Sequence, residues 1–276
     1  MEEFAILLTC YNRKDQTLEC LKSLKKNTLF FKIFLVDDGS TDGTAKAVSA
    51  CYPDVNIITG NGQLYWNRGM HLAWETASKN DFDFYIWIND DIILNGDAFK
   101  VILEDYKKVK KESIIVGVFE SPEKKITYGG YIKGSTKKIL YPNGKPQKCD
   151  YFNGNFVLIP GSVFKKVGNL DPIFPHAQGD FDYGLRAKKQ GIQSYITSSV
   201  IGVCERHDKY PKWCDPRVKF SDRYSAFYGP LGGRPKPTFI FEKRHYGFST
   251  ALFHFFTIYL RLFFPSYWIK IKKSKI

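Results

Sequence analysis

The sequence lacks the short motifs that mark several common classes of protein. Its six cysteines show no Cys-x-x-Cys spacing, which argues against a zinc site or a disulfide framework and favours a reduced, cytosolic compartment. No Gly-x-Gly-x-x-Gly follows the first apolar run, and no Gly-Lys-Ser or Gly-Lys-Thr occurs. These absences exclude an ordinary dinucleotide-binding fold and a P-loop enzyme. The cysteines are Cys10, Cys20, Cys51, Cys149, Cys204 and Cys214.

Acidic residues are also fewer than basic ones. The chain has 28 Asp and Glu and 41 Lys and Arg, which gives a formal net charge of +13. That excess implies an anionic partner, which could be nucleic acid, an acidic membrane or a phosphorylated substrate. The basic residues form no recognition-helix or RNA-binding signature, so we expect no nucleic acid partner. The hydrophobic fraction of 43% excludes a mainly disordered chain. The start, Met-Glu-Glu-Phe, does not resemble a signal peptide, so we expect a cytoplasmic protein.

Apolar runs alternate with amphipathic segments through the first 120 residues. The runs predict strands at 4–9, 33–36, 55–59, 85–88 and 114–118, and the segments between them predict helices at 15–26, 43–51, 67–78 and 98–110. Asp42 is placed to cap the helix at 43–51. Strands separated by helices of this length predict an α/β fold with a doubly wound, mostly parallel sheet.

Two adjacent acids, Asp90 and Asp91, follow the fully apolar strand at 85–88. Ligands of open α/β sheets bind beyond the carboxyl ends of the strands, and paired carboxylates there suit a hard divalent cation with the phosphates it bridges. A plain turn that caps the helix starting near Asp97 is the alternative. Similar polar residues follow the first two strands. Asp38 can accept hydrogen bonds from a base or ribose, and Tyr11 can stack on the base, although an ordinary Asp-Gly turn also explains Asp38.

Four motifs, in this order and spacing, resemble the nucleotide-sugar-binding half of the family 2 glycosyltransferases, which have the GT-A fold. They are Thr9-Cys10-Tyr11-Asn12-Arg13, Val36-Asp37-Asp38-Gly39-Ser40-Thr41-Asp42, Asn67-Arg68-Gly69 and Asn89-Asp90-Asp91. The resemblance implies that a nucleotide-sugar site contains Thr9, Tyr11, Asn12, Arg13, Asp38, Asn67, Arg68 and Asp90. It also implies that Asp91 ligates a divalent metal, Mn²⁺ or Mg²⁺. Asn89 stands where many relatives carry another residue.

A second chemical centre is predicted at Gly179-Asp180-Phe181-Asp182, the start of a helix that ends before Gly191. Helix capping alone would explain one of these acids. The stretch from Val157 to Gly191, however, resembles the acceptor side of the same family, in which the acid matching Asp180 is the general base of an inverting transfer. Gly179 replaces the acidic residue often found before that base.

Four further residues are weaker candidates. Trp66 could stack on a sugar ring, and Asn153 and Asp182 are candidates for contact with the sugar or acceptor. By resemblance, His207 lies where many relatives have a histidine that reaches the metal or diphosphate. We divide the chain into a nucleotide-sugar-binding half at 1–120, an acceptor-side α+β half at 121–236 and a C-terminal segment at 237–276.

The C-terminal segment predicts an amphipathic helix in which Thr250, His254, Thr257 and Arg261 form a narrow polar stripe. Pro265 ends this helix, and Lys270, Lys272, Lys273 and Lys275 follow. Packing on the catalytic domain or on a homodimer partner is one interpretation. The favoured one is a helix lying in the membrane interface, with its lysines on anionic lipid. This predicts peripheral association with the inner face of the cell membrane.

Together these features predict an inverting, metal-dependent glycosyltransferase. Its donor would be a nucleoside-diphosphate sugar and its acceptor a glycan, lipid-linked in surface polysaccharide synthesis such as that of capsule or O-antigen. A sugar-nucleotide nucleotidyltransferase is a second hypothesis, although the basic, Gly-rich signature expected near its first strand is absent. A non-catalytic scaffold of the same fold is a third, and the presence of both Asp91 and Asp180 argues against it.

Overall fold

In the computed structural model, which describes residues 2–27, 29–133, 138–205 and 211–273, strands and helices alternate through the first half of the chain. The elements of this half are β1 (Phe4–Cys10), α1 (Lys14–Lys25), β2 (Phe31–Asp37), α2 (Thr44–Cys51), β3 (Asn56–Thr59), α3 (Tyr65–Ala77), β4 (Phe84–Ile88), β5 (Ile93–Leu94), α4 (Ala98–Lys108) and β6 (Ile114–Glu120). The predicted alternation is therefore present, and helix α3 begins two residues earlier than predicted.

The second half begins with short strands and ends in helices. Its elements are β7 (Ile126–Tyr128), β8 (Gly130–Ile132), β9 (Lys138–Ile139), β10 (Gln147–Cys149), β11 (Tyr151–Phe152), β12 (Phe156–Pro160), α5 (Gly161–Val167), α6 (Gly179–Lys189), β13 (Ser194–Val203), a 3₁₀ turn (Lys212–Cys214), α7 (Phe220–Tyr228), α8 (Pro235–Tyr246), α9 (Phe248–Phe263) and α10 (Pro265–Lys273).

Within the described residues, ten strands form the main sheet. Eight of them follow the order β10-β13-β6-β12-β4-β1-β2-β3, while β5 pairs with β13 and β7 with β6. Strands β3, β2, β1 and β4 are parallel neighbours, as the alternating pattern predicts. Strand β12 is antiparallel to both β4 and β6, between which it lies. The acceptor-side half therefore contributes a central strand to the same sheet, and β8, β9 and β11 form a separate small sheet.

Both faces of the main sheet are covered because its central strands are apolar at most positions. In β1, Ile6 and Leu8 pack with residues of α1 and α4 on one face. Ala5 and Leu7 pack with residues of α3, α5 and α6 on the other face. Strands buried on both faces are typical of doubly wound sheets, in which crossover helices cover each side. Ligands of such sheets bind beyond the carboxyl ends of the strands.

The chain forms two units. One comprises Met1–Pro172 with Gly179–Arg206, and the other comprises Ile173–Gln178 with His207–Ile276. The second unit has a small core of its own, in which Trp213 and Cys214 of the 3₁₀ turn pack with Phe227 of α7 and with Ile258 and Leu262 of α9. The predicted C-terminal segment at 237–276 falls inside this second unit.

Candidate active site

The site lies in the first unit, where three parallel strands end side by side. Strand β1 pairs with β2 so that Cys10 is opposite Asp37, and β1 also pairs with β4. The residues that follow these strands therefore meet at one edge of the sheet. They are Tyr11, Asn12 and Arg13 after β1, Asp38 after β2, and Asn89, Asp90 and Asp91 after β4.

Arg13 bridges the two adjacent acids. Its Nη1 lies 3.1 Å from Asp90 Oδ1 and 2.8 Å from Asp91 Oδ2. Burial raises the pKa of Asp90 to about 7, against the opposing effect of the Arg13 guanidinium. Burial disfavours the charge on Arg13, but the carboxylates of Asp90 and Asp91 outweigh it and raise the pKa of Arg13. Asp90 and Asp91 therefore pair with the Arg13 guanidinium rather than cap a helix. The side chain of Asp97, at the start of α4, makes no capping hydrogen bond.

The same geometry shows that this edge fits a divalent metal. Carboxylate oxygens are the hard donors that Mn²⁺ and Mg²⁺ prefer, and here two of them already lie against one positive charge. The Oδ2 atom of Asp90 is buried and makes no hydrogen bond within the described residues. A buried carboxylate oxygen without a donor is costly, so a bound cation would satisfy it. Among the described residues no group of three His, Cys, Asp or Glu side chains forms a complete ligand set.

The predicted nucleotide contacts fall into two groups. Tyr11 is 53% exposed and is free of the core, as stacking on a base requires. Thr9 is buried against Gly69 of α3. Asp38 is also buried, and its two carboxylate oxygens accept hydrogen bonds from the backbone N–H groups of Gly62, Leu64 and Tyr65 at 2.8–2.9 Å. Asp38 thus shapes the loop before α3, and its contact with a nucleotide stays a prediction.

Asn12 joins the loops that follow β1 and β2. Its backbone N–H donates to Ser40 Oγ at 2.9 Å, and its Oδ1 accepts from the Thr41 N–H at 2.7 Å. Asn12 itself has a positive φ of 51°, a backbone conformation that asparagine tolerates better than most residues. This tie holds Tyr11 and Arg13, the two neighbours of Asn12, in a defined loop.

Asn67 and Arg68 of α3 hold the segment that precedes α6. Asn67 Nδ2 donates to the Asp171 carbonyl and Arg68 Nε to the Pro172 carbonyl, both at 2.8 Å. Asn67 is fully buried, and it also lies against Gly179, where any added Cβ would overlap the Asn67 side chain. The acid that relatives often carry before the base therefore has no room here. The contacts of Asn67 and Arg68 are with the protein, and their predicted role toward the nucleotide stays a prediction.

The candidate base, Asp180, is at the start of α6, and its Oδ2 accepts the Gly154 N–H at 3.0 Å. Gly154 also packs directly on the Trp66 ring, which a Cβ at this position would overlap. On its other side, Trp66 Nε1 donates to Asn89 Oδ1 at 2.6 Å. Asn89, Trp66 and Gly154 thereby connect the acid pair to Asp180 within one unit. We infer that these two predicted chemical centres belong to one site.

Asp182 differs from Asp180 although only one residue separates them. Asp182 is fully buried, and its Oδ2 accepts from Arg186 Nε at 2.8 Å. Arg186 also donates to the carbonyls of Val167 and Asn169. This network anchors α6 and leaves Asp180 as the partly exposed acid of the pair. The predicted contact of Asp182 with an acceptor stays a prediction, and His207 lies outside the described residues.

An aromatic cluster beside Asp180 was not anticipated from the sequence. Tyr131 and Tyr151 stack with ring centroids 5.4 Å apart, and Phe181 meets both rings edge-on. The Tyr131 hydroxyl donates to Asn153 Oδ1 at 2.8 Å, which places the predicted residue Asn153 in this cluster. The segment from Ser121 to Cys149 shows no long hydrophobic periodicity. Its change in composition toward Gly, Lys and Tyr was the sequence signal for a structural change in this region.

A family model described as glycosyl transferase family 2 matches residues 5–168, more than half of the chain. The chain belongs to glycosyl transferase family 2. The match covers the strand ends that carry Arg13, Asp38, Asp90 and Asp91 and stops before Asp180. The predicted family is confirmed.

Among curated relatives of this family 2 chain, the poly-beta-1,6-N-acetyl-D-glucosamine synthase of Staphylococcus epidermidis is 24% identical over 184 residues. These residues are 62% of this chain and 42% of that protein, so the chain spans less than half of that relative. The N-acetylglucosaminyl-diphospho-decaprenol L-rhamnosyltransferase of Mycobacterium tuberculosis is 19% identical over 232 residues, 73% of this chain and 75% of that one.

Solved structures of glycosyltransferases share the fold. Residues 1–349 of TarS from S. aureus, in complex with UDP-GlcNAc, match 90% of this chain and 73% of that one, with a TM-score of 0.55 and 13% identity. The mannosyltransferase PcManGT of Pyrobaculum calidifontis, in complex with GDP-Man and Mn²⁺, matches 91% and 73%, with a TM-score of 0.55 and 14% identity. The predicted GT-A fold, with its mostly parallel central sheet, is confirmed.

Proposed function

We propose that this family 2 chain transfers a sugar from a nucleoside-diphosphate sugar to a hydroxyl group of a glycan acceptor, with inversion at the anomeric carbon. One observation carries the proposal. The acid pair Asp90–Asp91 and the partly exposed acid Asp180 are joined through Asn89, Trp66 and Gly154 in one unit. The residues proposed to bind the leaving diphosphate and the proposed general base would thus be held together.

Asp180 would act on the acceptor. A sugar hydroxyl is a weak nucleophile, and a carboxylate within hydrogen-bond reach removes its proton as the new bond forms. The Gly154 N–H fixes Asp180 Oδ2, and α6 is anchored by the buried ion pair of Asp182 and Arg186. A direct attack on the anomeric carbon inverts its configuration. The described part of the site shows no second nucleophile that would suggest a covalent intermediate.

Asp91, with Asp90 beside it, would hold a divalent cation, Mn²⁺ or Mg²⁺, together with oxygens of the diphosphate. When bound, such an ion neutralises the charge that develops on the leaving group. Arg13 lies against the same two carboxylates and brings a second positive charge to this edge. Tyr11, exposed at the end of β1, is available to stack on the nucleotide base. The Mn²⁺ in the PcManGT complex supports this assignment by analogy of fold.

We further propose that the acceptor is lipid-linked and that the product belongs to a surface polysaccharide. Support comes from the two curated relatives, one named as a polysaccharide synthase and the other as a transferase acting on a diphospho-decaprenol. In the aromatic cluster next to Asp180, the partly exposed rings of Tyr131 and Phe181 are suited to contact sugar rings, and the buried Tyr151 packs against both. Such an acceptor is held in a membrane, so the enzyme would work at the inner face of the cell membrane.

The test is release of nucleoside diphosphate from a panel of UDP- and GDP-sugars, with Mn²⁺ or with EDTA. We expect slow hydrolysis of one donor that requires the metal and is stimulated by an N-acetylglucosaminyl-diphospho-polyprenol acceptor. The anomeric configuration of the product, read by NMR, should be opposite to that of the donor. Release that is equal in EDTA would contradict the metal assignment, and a retained configuration would contradict the single displacement. No turnover of any donor would contradict the transferase itself.

A further inference from the structure

Helix α9 of the second unit turns its apolar side outward. Phe253 is 65% exposed, Phe256 60% and Leu260 51%, whereas Ala251 and Leu262 on the opposite side are fully buried. In a helix that packs on a protein core, the apolar stripe faces the core and the polar stripe faces water. Helix α9 buries an apolar side with Ile258 and Leu262 and leaves a second apolar side exposed.

The polar stripe of α9 is held by the protein. His254 Nδ1 lies 3.0 Å from Glu242 Oε1 of α8, and the Arg261 guanidinium lies over the rings of Trp213 and Trp268, at 5.2 and 5.1 Å from their centroids. Burial lowers the pKa of Arg261. These contacts restrict the rotation of α9 about its axis, so Phe253, Phe256 and Leu260 face outward.

Neighbouring elements extend the apolar surface beyond one helix. Phe220 of α7 is exposed and stacks on Phe263 of α9, with ring centroids 5.6 Å apart. We use the name aromatic face for nine exposed apolar residues of α7, of α9, of α10 and of the junction between α9 and α10. Its members are Phe220, Tyr224, Tyr228, Phe253, Phe256, Leu260, Phe263, Phe264 and Tyr267. A contiguous exposed surface of this kind is unusual on a soluble monomer and marks a site of interaction with a protein or a membrane.

Charge distinguishes between those two partners. Residues 207–276 contain 14 Lys and Arg against 4 Asp and Glu, a net charge of +10 out of +13 for the whole chain. The last twelve residues contain Lys270, Lys272, Lys273 and Lys275 and no acid. An aromatic and aliphatic face with flanking lysines is the composition of helices that lie in the interface of an anionic membrane.

A sharp bend separates α9 from α10. Within the described residues, no helix is by itself long and apolar enough to cross a bilayer; Phe248–Phe263 and Pro265–Ile271 are so only together, and they are bent by 116°. Pro265 begins α10 at this bend. The bend turns Tyr267 and Lys270 away from the line of α9, which suits a face that follows a surface.

We propose that the aromatic face binds the surface of an anionic bilayer, with its rings and leucine at the boundary between headgroups and acyl chains and with the net positive charge of the second unit attracting anionic headgroups. The biological reason for this contact rests on the proposed lipid-linked acceptor. The contact itself is independent of the transferase chemistry, because none of its residues belongs to the site around Asp180.

The experiment is co-sedimentation of the full chain with vesicles of phosphatidylcholine alone or mixed with phosphatidylglycerol. The test variant combines Phe253→Gln, Phe256→Gln and Leu260→Gln, because these three side chains are exposed. Glutamine is chosen because it is polar and favours helix formation. The matched control replaces two exposed aromatic residues of the first unit, Phe30→Gln with Tyr141→Gln. Circular dichroism of all three proteins verifies that the total helix content is unchanged.

We expect the wild type and the control to bind mixed vesicles and the triple variant to bind at least tenfold more weakly. Binding should be weaker on neutral vesicles, because they carry no net charge. It should also fall as salt rises, because headgroup charge is screened. Equal binding by the triple variant would overturn the proposal, as would binding that survives an alkaline carbonate wash, which marks an inserted segment. A third outcome is that the wild type does not bind vesicles but forms concentration-dependent dimers, which the triple variant does not form. That outcome would assign the face to a second copy of the chain. Donor hydrolysis, measured without vesicles, reports separately on the proposed function.

Discussion

Replacing Arg13 by Gln tests whether the guanidinium and the divalent metal compete for the same acids. In the structure, Arg13 Nη1 contacts both Asp90 Oδ1 and Asp91 Oδ2, so it neutralises the carboxylates that a metal would require. Binding of Mn²⁺ to the free protein must therefore displace or weaken these contacts. Glutamine keeps most of the length of the side chain and removes its charge. We expect the variant to bind Mn²⁺ more tightly than the wild type when no nucleotide is present.

The size of the effect follows from the geometry. Hydrogen bonds to charged groups contribute about 1.5–3 kcal/mol when they are well buried. The side chain of Arg13 is 39% exposed and that of Asp91 23%, so solvent screening reduces the value toward the 0–1 kcal/mol of surface pairs. We adopt about 1.4 kcal/mol for the two contacts together, which corresponds to roughly a tenfold decrease in the Kd for Mn²⁺.

The assay is isothermal titration of Mn²⁺ into the protein, first alone and then with UDP or GDP present. The variant should bind nucleoside diphosphate with Mn²⁺ more weakly than the wild type, because Arg13 then contributes its charge to the diphosphate. The control is Arg217→Gln, which removes the same charge from an exposed side chain that pairs with the buried Asp215. Mn²⁺ affinity that is unchanged or lower in Arg13→Gln, with melting behaviour like that of the wild type, would refute competition at these acids.

Three further substitutions test the site. Asp91→Ala should abolish metal-dependent binding of nucleoside diphosphate and spare the fold, because Asp91 follows a strand and is partly exposed; calorimetric titration with Mn²⁺ checks this, and unchanged affinity would remove Asp91 from the metal site. Asp180→Asn should keep donor affinity and lower turnover by about 10² to 10⁴, the usual contribution of a general base; a loss below about tenfold would place the base elsewhere. Gly179→Ala should lower stability by about 1–3 kcal/mol in urea unfolding, because its Cβ overlaps the buried Asn67, whereas Gly96→Ala has open space and should be nearly neutral.

Much of the donor-side architecture could be predicted from local pattern. The apolar runs of β1, β2 and β4 are buried on both faces, and a run of this kind between amphipathic helices specifies a parallel, doubly wound sheet. Once the strands are parallel, the residues after them must meet at one edge. The grouping of Tyr11, Asp38 and Asp91 therefore followed from the sequence without any knowledge of side-chain contacts.

The central position of β12 could not be predicted in this way. Its sequence, Phe-Val-Leu-Ile-Pro, identifies a buried strand but carries no information about direction or neighbours. Those depend on pairing with β4 and β6, which are distant in the chain. The link from Asn89 through Trp66 to Gly154 depends on the same pairing, since β12 follows Gly154 directly, and it was missed for that reason.

The sequence by itself therefore determined the order of strands and helices on the donor side, the edge at which the polar residues gather, and the family. Only the tertiary structure decided how individual side chains are used. Asp180 and Asp182 are two positions apart, so they point about 200° apart around α6, and packing of that helix buries one acid with Arg186 and leaves the other at the site. The pattern of α9 likewise defines two sides of a helix without saying which side faces the protein. That choice depends on Glu242, Trp213 and Trp268, which hold the polar side and leave the phenylalanines exposed.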